Sequence, residues 1–420
     1  MRSSAAAAAG LLALALGLAP ARAGHDPRPA AQPAVFGVRA GKIVTQGPQG
    51  VVDDGLVVVR DGKFAFVGPF DLAKVPAGAP LDDRRPHWLV PGFVDLHSHI
   101  GGGMADINDM TYPVNPDLGT LESIQPDSDR LKDARAGGVT TILFIPGSGT
   151  NSGGWGTLMK THGRTLDEVL IRYPGAIKVA QLGNPERGGD VGSGRMGMNF
   201  LIRSVFEKGR DYAAAWKEFD EGRSKTKPAL DPRLENFRAL FAKKCPVIVH
   251  TAHVQGVQST MRIFHDELGL DVILTHGDFL GFKGAGPLAE RRFKVNIGPR
   301  TYWYDPETER IHGQAAEWWK RGTTDLSLNT DSPVVPQEEL FLQAAMAVRY
   351  GLPQEHGLAA ITSVPARQAG LADRVGSIEV GKDADFGCYA GDPLDARNGA
   401  LRVWVEGRVA YDPARDGRRF

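Results

Sequence analysis

The chain has little of what defines several large protein classes. Its 420 residues include only two cysteines, Cys245 and Cys388, which are too few for a disulfide framework. Its 49 basic and 49 acidic side chains cancel, so it lacks the basic surplus typical of nucleic-acid-binding proteins, and we expect no nucleic-acid partner. With 42% hydrophobic residues it is also too apolar for a disordered chain. What remains is a globular protein stabilised by a large hydrophobic core.

Long hydrophobic runs are also scarce, and the one at the N-terminus has the properties of a targeting signal. Residues 1–23 combine a basic Arg2, an uncharged run rich in Ala and Leu, and the small residues of Ala21-Arg22-Ala23. The apolar run is shorter than the roughly 20 residues that a membrane-spanning helix needs. We therefore expect cleavage of a signal peptide, and a periplasmic or secreted protein that starts near Gly24 and has no membrane span.

Short β-strand patterns occur near both ends of the remaining chain. Residues 24–90 contain two such runs joined by Asp61-Gly62, a dipeptide typical of two-residue hairpins. Residues 373–420 contain several more. Each half alone is too small to bury a core. The pattern therefore predicts one small composite β-sandwich domain built from both termini.

The middle of the chain, residues 91–372, alternates strand-like and helix-like patterns. Such alternation over this length favours an α/β fold of the (β/α)8 TIM-barrel type over a doubly wound sheet. A long stretch between the fourth and fifth strands, residues 183–231, is expected to add a helix that shapes a substrate pocket. The eight predicted strands are Phe93–His97, Thr140–Ile145, Gly156–Lys160, Ala176–Ala180, Pro246–His250, Asp271–His276, Phe293–Asn296 and Asp325–Asn329.

Residues of metal-binding type occur at the ends of four of these strands. His97 and His99 are two residues apart, so both rings point to one side of the first strand. His250, His276 and Asp331 follow three later strands. The C-terminal ends of barrel strands meet at one face of the barrel. We therefore predict that these five side chains converge and bind metal.

The chain resembles the amidohydrolase superfamily over nearly its whole length after residue 23. The His97-Ser-His99 pair, the single histidines of strands five and six, and Asp331 of strand eight match its metal-site pattern. The tail Gly376–Asp385 is similar to its return into a composite β-domain. A narrower similarity, to imidazolonepropionase-like metal-dependent amidohydrolases, is found in Met159–Gly163, Ala176–Ala180 and Asn184–Arg187.

The resemblance implies a centre with two divalent metal ions, for which zinc suits the ligand types. It implies that His97, His99 and Asp331 hold one ion and that a second pair of histidines holds the other. It further implies that Lys178, on strand four, takes up carbon dioxide and bridges both ions as an N6-carboxylated lysine. Glu186 is the alternative bridge. It lies where this chain departs from the Gly-Glu-Asn-Pro-Lys pattern of the branch.

The implied activity is hydrolysis of a carbon–nitrogen bond in an amide, a peptide-like compound or a cyclic amide. A metal-activated hydroxide attacks the carbonyl carbon, and Asp331 transfers the proton. His253, Arg300, Tyr302 and Glu186 are expected to contact a small-molecule or peptide-like substrate. Members of the superfamily often associate, so a homo-oligomer is compatible with the resemblance.

The sequence is also compatible with two alternative functions. The first is a mononuclear zinc deaminase on the same barrel. Such enzymes usually have a glutamate three residues after the strand-five histidine, where this chain has His253. The second is a non-catalytic barrel that only binds a ligand. The complete ligand set argues against it, because loss of catalysis would be expected to remove at least one metal ligand.

Overall fold

Two eight-stranded sheets form the framework of the structure, a computed structural model that describes residues 34–186, 194–291 and 293–419. The predicted signal segment, residues 1–23, lies outside the described residues. Within the described ranges, no helix is both long enough and apolar enough to cross a lipid bilayer.

The strands are numbered along the chain. They are β1 (Val35–Val44), β2 (Val51–Arg60), β3 (Lys63–Pro69), β4 (Leu81–Asp83), β5 (Trp88–Pro91), β6 (Phe93–Ser98), β7 (Val139–Phe144), β8 (Ser152–Lys160), β9 (Leu170–Ala180), β10 (Val247–Thr251), β11 (Val272–His276), β12 (Lys294–Ile297), β13 (Tyr302–Asp305), β14 (Arg310–Gly313), β15 (Leu326–Leu328), β16 (Phe386–Tyr389), β17 (Ala400–Val405) and β18 (Arg408–Tyr411).

The helices are numbered in the same way. They are α1 (Asp129–Ala136), α2 (Leu166–Val169), α3 (Arg195–Asp220), α4 (Phe237–Phe241), α5 (His253–Thr260), α6 (Gly286–Glu290), α7 (Gln314–Lys320), α8 (Leu340–Arg349), α9 (Gln354–Ala359), α10 (Ser363–Gln368) and α11 (Pro413–Asp416). Helix α5 continues into a π-helical segment, Met261–Glu267.

The first sheet, called the terminal sheet here, combines strands from both ends of the described chain. Its order is β18-β17-β16-β5-β1-β2-β3, and β4 pairs with β1. The predicted hairpin is confirmed: Asp61 and Gly62 have φ angles of 50° and 79°, and Arg60 pairs with Lys63. Phe386 of β16 stacks on Trp404 of β17 in its buried core, with ring centroids 4.4 Å apart. One composite sheet from both termini is therefore confirmed.

The second sheet is the barrel, in the order β15-β12-β11-β10-β9-β8-β7-β6. All eight predicted strands are present, and a single parallel bridge between Ser98 and Ser332 nearly closes the barrel beside β6 and β15. His99 N–H also donates to the Ser332 carbonyl at 2.9 Å. The predicted TIM-barrel fold is confirmed. The domain boundaries at residues 90/91 and 372/373 stay predictions.

One strand departs from the regular barrel pattern. Strand β8 runs antiparallel to both β7 and β9, while the other neighbouring pairs of this sheet are parallel. The connection from β7 to β8 spans only residues 145–151 and contains no helix. A connection this short returns the chain in the opposite direction, whereas a parallel neighbour needs a longer crossover. The C-terminal ends of the other seven strands still lie at one rim.

The insertion between β9 and β10 carries the predicted extra helix. Helix α3 buries one face at helical spacing: Met198, Ile202, Phe206, Gly209, Ala213 and Trp216. The ring of Phe206 packs edge-on against Phe237 of α4 and against Phe264, with centroids 5.3 and 5.2 Å away. Gly209 lets the two helices approach closely, because a Cβ atom there would collide with the Phe237 ring. The long helix is therefore fixed against the barrel.

Candidate metal centre and active site

Six polar side chains from five barrel strands meet at the rim formed by the C-terminal strand ends. His97 and His99 come from the end of β6, Lys178 from β9, His250 from β10, His276 from β11, and Asp331 follows β15. Two trios have ligand atoms that all lie within 4.8 Å of one another. We call them the aspartate trio (His97, His99, Asp331) and the histidine trio (His97, His250, His276).

The aspartate trio joins the first and last strands of the barrel. Oδ1 of Asp331 lies 3.1 Å from Nε2 of His99 and 3.3 Å from Nε2 of His97. The other ring nitrogen of His99, Nδ1, donates to the carbonyl of Ile145 at 2.8 Å. In the neutral ring this leaves a lone pair on Nε2 beside the Asp331 oxygen. Two such electron-rich atoms side by side are stabilised by a shared cation.

The histidine trio contains buried ring nitrogens that have no hydrogen-bond partner among the described residues. The rings of His250 and His276 have centroids 4.3 Å apart. Nδ1 of His276 donates to the carbonyl of Gly298 at 2.6 Å, which fixes the ring orientation. Nε2 of His276 and Nδ1 of His250 are buried without a hydrogen-bond partner among the described residues. Because unpaired buried nitrogens are costly, these two atoms need a further partner.

Lys178 lies between the two trios in a fully buried position. Its Nζ atom is 2.8 Å from Nε2 of His97. Burial lowers the pKa of Lys178 to about 7, although the nearby Asp331 carboxylate acts in the opposite direction. A substantial fraction of this lysine is therefore a neutral, nucleophilic amine at neutral pH.

Burial also sets the charge of the remaining ligands. It holds the pKa values of His97 and His250 well below their usual range and lowers that of His276 to about 4. Burial alone would raise the pKa of Asp331. The neighbouring His99 and His276 outweigh it and leave that pKa lowered. At neutral pH His97, His250 and His276 are therefore neutral imidazoles near one carboxylate.

Asp95, to which the sequence assigns no role, holds the two barrel-closing strands together. Its carboxylate is fully buried, and burial raises its pKa to about 6. Oδ1 accepts from the N–H of His97 at 2.9 Å. Oδ2 accepts from the N–H and hydroxyl of Thr330 and from Nε2 of Gln337, at 3.0, 2.7 and 2.7 Å. Asp95 thereby links the backbone of His97 to the residue that precedes Asp331.

Two of the predicted substrate contacts, His253 and Arg300, meet at Phe279, a residue that the sequence analysis missed. The His253 ring stacks on Phe279 at a centroid distance of 5.1 Å, and its Nδ1 lies 3.2 Å from the Phe279 carbonyl. The Arg300 guanidinium lies over the same ring at 5.0 Å, and Trp303 meets it edge-on at 5.0 Å. Phe279 is thus the centre of an aromatic cluster just beyond the end of β11.

The other two predicted contacts have different neighbours. Tyr302 is exposed in β13, and its ring centroid lies 5.2 Å from that of Tyr350. Oε1 of Glu186 lies 3.3 Å from Nε of Arg195, and neither trio includes Glu186. Of the two bridges considered from sequence, Lys178 is therefore the one that the structure brings to the ligands.

Asp278, which follows His276 by two residues, is a further residue that was not predicted from the sequence. The residue is 4% exposed, and Oδ1 has no hydrogen-bond partner among the described residues. Burial raises the pKa of Asp278 to about 8, against the influence of Arg300. The same two-residue spacing that joins His97 to His99 could have drawn attention to it.

The donor set fits a divalent metal. It offers imidazole nitrogens and a carboxylate, the ligand types that zinc and related ions take in proteins. Carbonyl groups orient the rings of His99 and His276, as is common for metal-bound histidines. The buried, unpaired nitrogens of His250 and His276 gain a partner when a cation is bound.

Comparison with known proteins agrees with this fold. Residues 181–411 match the model of the Amidohydrolase family. The chain is 25% identical over 392 residues to an imidazolonepropionase of Brucella anthropi, a match covering 87% of this chain and 92% of that protein. It is also 25% identical over 410 residues to amidohydrolase tasK of Hapsidospora irregularis, covering 86% of this chain but 40% of that protein.

A solved structure extends the similarity to the fold. The crystal structure of an amidohydrolase from Thermotoga maritima matches with a TM-score of 0.80 and 30% sequence identity. The match covers 90% of this chain and 100% of that one. The family model alone accounts for more than half of the chain. The chain thus belongs to the amidohydrolase family, which comprises metal-dependent hydrolases of carbon–nitrogen bonds.

Proposed function

We propose that this amidohydrolase cleaves the carbon–nitrogen bond of a small amide, linear and peptide-like or cyclic, with the help of two zinc ions. His97, His99 and Asp331 would hold one ion, and His250 and His276 the other. One observation carries the proposal. His97 belongs to both trios, and Nζ of Lys178 lies 2.8 Å from the Nε2 atom of that histidine. A bridging group at Lys178 can therefore serve two ions.

Carboxylation of Lys178 would suit the charge balance of this centre. The neutral Nζ amine attacks the carbon of carbon dioxide, a nitrogen–carbon bond forms, and one proton is released. The resulting carbamate carries one negative charge and two oxygen ligands. This converts a buried side chain that repels cations when protonated into one that binds them. The full burial of Lys178 supports the proposal, because it favours the neutral amine.

The catalytic step depends on a proton carrier at the rim. Divalent ions held there would lower the pKa of water to about 7 and would polarise a carbonyl group. Asp331 takes up the proton as water attacks the carbonyl carbon, and it delivers that proton to the departing nitrogen. Its lowered pKa keeps it ionised and ready to accept the proton at neutral pH. A carbon–oxygen bond forms and the carbon–nitrogen bond breaks.

The pocket beside the rim has a lining that suits a substrate with polar groups. An open pocket of about 610 Å³ is lined by residues 299–304 and Pro306, and includes the exposed Arg300 and Tyr302. These aromatic rings and the guanidinium suit an anionic, peptide-like compound. His253 is connected to this pocket through Phe279, because the His253 ring stacks on Phe279 and Trp303 of the pocket meets Phe279 edge-on.

We further propose that the protein is exported after cleavage between Ala23 and Gly24. The charged start, apolar run and small residues of segment 1–23 support this. N-terminal sequencing of the protein from fractionated cells is expected to read from Gly24 in the periplasmic or secreted fraction. An uncleaved chain in the cytoplasmic fraction would contradict it.

The function is tested by reconstitution. Metal-depleted protein is supplied with zinc in buffers with and without bicarbonate, and bound zinc and amide hydrolysis are measured. We expect two equivalents of zinc and hydrolysis that require bicarbonate for full recovery. Asp331→Asn should lower kcat by about 100- to 10,000-fold, the range for loss of a general acid–base group. Asp167→Asn, an exposed change in α2, is the control and should behave as the wild type.

The same experiment distinguishes the alternatives. One equivalent of zinc together with ammonia release from aminopurines or cytosine would identify a mononuclear deaminase. Ligand binding without hydrolysis, unchanged by Asp331→Asn, would identify a non-catalytic binding protein. Either result would overturn the proposed function.

A further inference from the structure

Strand β13 has one edge that no other strand of the described residues covers. It pairs with β14 in a two-stranded sheet, separate from both eight-stranded sheets. Just before the strand, the N–H of Gln314 donates to the carbonyl of Thr301, the residue opposite it, at 3.1 Å. Hydrogen-bonded and non-hydrogen-bonded pairs alternate along an antiparallel ladder. The backbone polar groups of Trp303 therefore face β14, and those of Tyr302 and Tyr304 point away from it, where the described residues provide no partner.

The open pocket beside the rim follows this free edge. Its lining is the unbroken run 299–304 together with Pro306, and no residue of β14 contributes to it. Successive side chains of a strand point to opposite faces. A cavity lined by three successive residues of β13 therefore runs along the backbone edge of the strand rather than over one of its faces. Its volume of about 610 Å³ is within the range of ligand-binding pockets.

The strand is fixed on one face and open on the other. On the inner face, Trp303 meets Phe279 edge-on, with ring centroids 5.0 Å apart. His312, which lies opposite Trp303 in β14, has its ring centroid 5.4 Å from that of Phe282. On the outer face, the two tyrosines of β13 are 46% and 49% exposed. A ligand at this edge meets a strand that is already ordered, which favours binding.

The free edge begins close to the metal centre. The carbonyl of Gly298 accepts the hydrogen bond from Nδ1 of His276, a member of the histidine trio. Tyr302 follows Gly298 by four residues, which span at most about 14 Å of extended chain. A chain bound along β13 is therefore within reach of the rim.

The length of the edge limits what can occupy it. Pro299 and Pro306 lie on either side of the strand and have no N–H to donate, so they end any continuous pairing. About four residues of an extended chain fit between them. A stable interface between two copies of this protein needs roughly 20–30 residues a side, far more than this edge offers. A short extended peptide is the occupant that fits.

We propose that the free edge of β13 binds the substrate as an added, extended strand, and that the substrate is a peptide of about four or more residues. The outward N–H and C=O groups of Tyr302 and Tyr304 pair with the peptide backbone, and the two tyrosine rings contact its side chains. Recognition then depends on the length of the peptide rather than on its terminal charges. This inference rests on the proposed function, because it names the substrate class of the same metal centre.

Binding of capped alanine peptides tests the edge. Peptides of two, three and five residues carry an N-terminal acetyl and a C-terminal amide group, so none has a terminal charge. A second pentapeptide is N-methylated at every residue, which removes the N–H groups that a strand donates. Binding is measured by calorimetry on zinc-loaded Asp331→Asn protein, so that no turnover occurs. We expect the pentapeptide to bind about 10-fold or more tightly than the dipeptide, because it adds backbone hydrogen bonds, and the N-methylated form to lose this gain.

Two proline substitutions distinguish the two edges of the hairpin. Tyr304→Pro removes an outward N–H of β13 and keeps the hydrogen bonds to β14. Ile311→Pro does the same on the outer edge of β14, directly opposite Tyr304, where the pocket has no lining residue. In the Asp331→Asn background, Tyr304→Pro should weaken pentapeptide binding about 10-fold, and Ile311→Pro should leave it within about twofold. Tyr304→Ala keeps the N–H and should weaken binding less than Tyr304→Pro.

Four results would overturn the inference. The first is equal binding of the capped dipeptide and pentapeptide, and the second is undiminished binding of the N-methylated pentapeptide. The third is an equal loss in Tyr304→Pro and Tyr304→Ala, which would assign binding to the tyrosine ring. The fourth is a dimer of the unliganded protein in sedimentation that Tyr304→Pro dissociates, which would assign the edge to a second copy.

The peptide series needs no change in the hairpin, so it tests the edge independently of how the proline variants fold. None of these outcomes depends on hydrolysis. Failure to bind two zinc ions or to hydrolyse amides would instead overturn the proposed function.

Discussion

At the scale of single residues, the site is predictable where its chemistry coincides with a strand end. His97, His99, His250, His276 and Asp331 could all be selected on residue type and position along a strand. The supporting residues could not. Gln337 lies 242 residues from Asp95, and only the folded barrel shows that the two are in contact. Asp278 was missed because its two-residue spacing from His276, although equal to that between His97 and His99, is a weak signal for a single aspartate.

Asp95 gives a prediction at this scale. In Asp95→Asn, the amide nitrogen would face the donors of Thr330 and Gln337 and lose the hydrogen bonds that Oδ2 accepts. The backbone at His97 and Thr330 would then position the metal ligands less accurately. We expect zinc affinity to fall about 10- to 100-fold, as is typical when a supporting hydrogen bond is removed. Competition with a chromophoric chelator measures this affinity.

The matched control for this change is Asp109→Asn. Asp109 is exposed, and its carboxylate accepts a hydrogen bond from the N–H of the nearby Thr111. It should keep wild-type zinc affinity. Unaltered zinc affinity in Asp95→Asn would show that the hydrogen bonds between Asp95 and the residues after β15 do not position the metal-binding side chains.

At the scale of elements, strand positions could be predicted and strand direction could not. Hydrophobic runs gave all eight barrel strands, because each buried strand must be apolar. The antiparallel course of β8 depends on the short 145–151 connection and on pairing with β7 and β9. Local periodicity is the same for a parallel and an antiparallel strand. The site survives this reversal because none of its six side chains comes from β8.

Strand β8 also connects the barrel to the terminal sheet through a buried charge cluster. Nζ of Lys160 lies 2.6 Å from Asp385 and 3.0 Å from Asp383, and the lysine is 1% exposed. Lys160→Met would leave Asp385 as a buried carboxylate without this cation. We expect the free energy of unfolding to fall by about 3–5 kcal/mol, measured by denaturant titration.

Lys63→Met is the comparison for this prediction. Lys63 also binds Asp383, at 3.0 Å, but its side chain is 55% exposed. Exposed ion pairs contribute about 0–1 kcal/mol, so this change should have little effect. Equal losses in the two variants would contradict a special role of the buried cluster.

At the scale of the whole molecule, the metal centre is a consequence of barrel closure. The Ser98–Ser332 bridge brings the end of the first barrel strand to the end of the last, which places Asp331 beside His97 and His99. The composite terminal sheet likewise depends on residues from both ends of the described chain. The alternation of strand and helix patterns predicted the barrel in outline. The short strand patterns at both ends predicted the composite sheet, because each end alone is too small to bury a core.

We propose that these six side chains bind two ions bridged by a modified lysine. Anomalous diffraction at the zinc edge, from crystals grown with zinc and bicarbonate, locates such ions. We expect two peaks about 3.5–4 Å apart, one beside the aspartate trio and one beside His250 and His276, with density for a carbamate on Lys178. A single peak, or none, with Lys178 as an unmodified amine would contradict it.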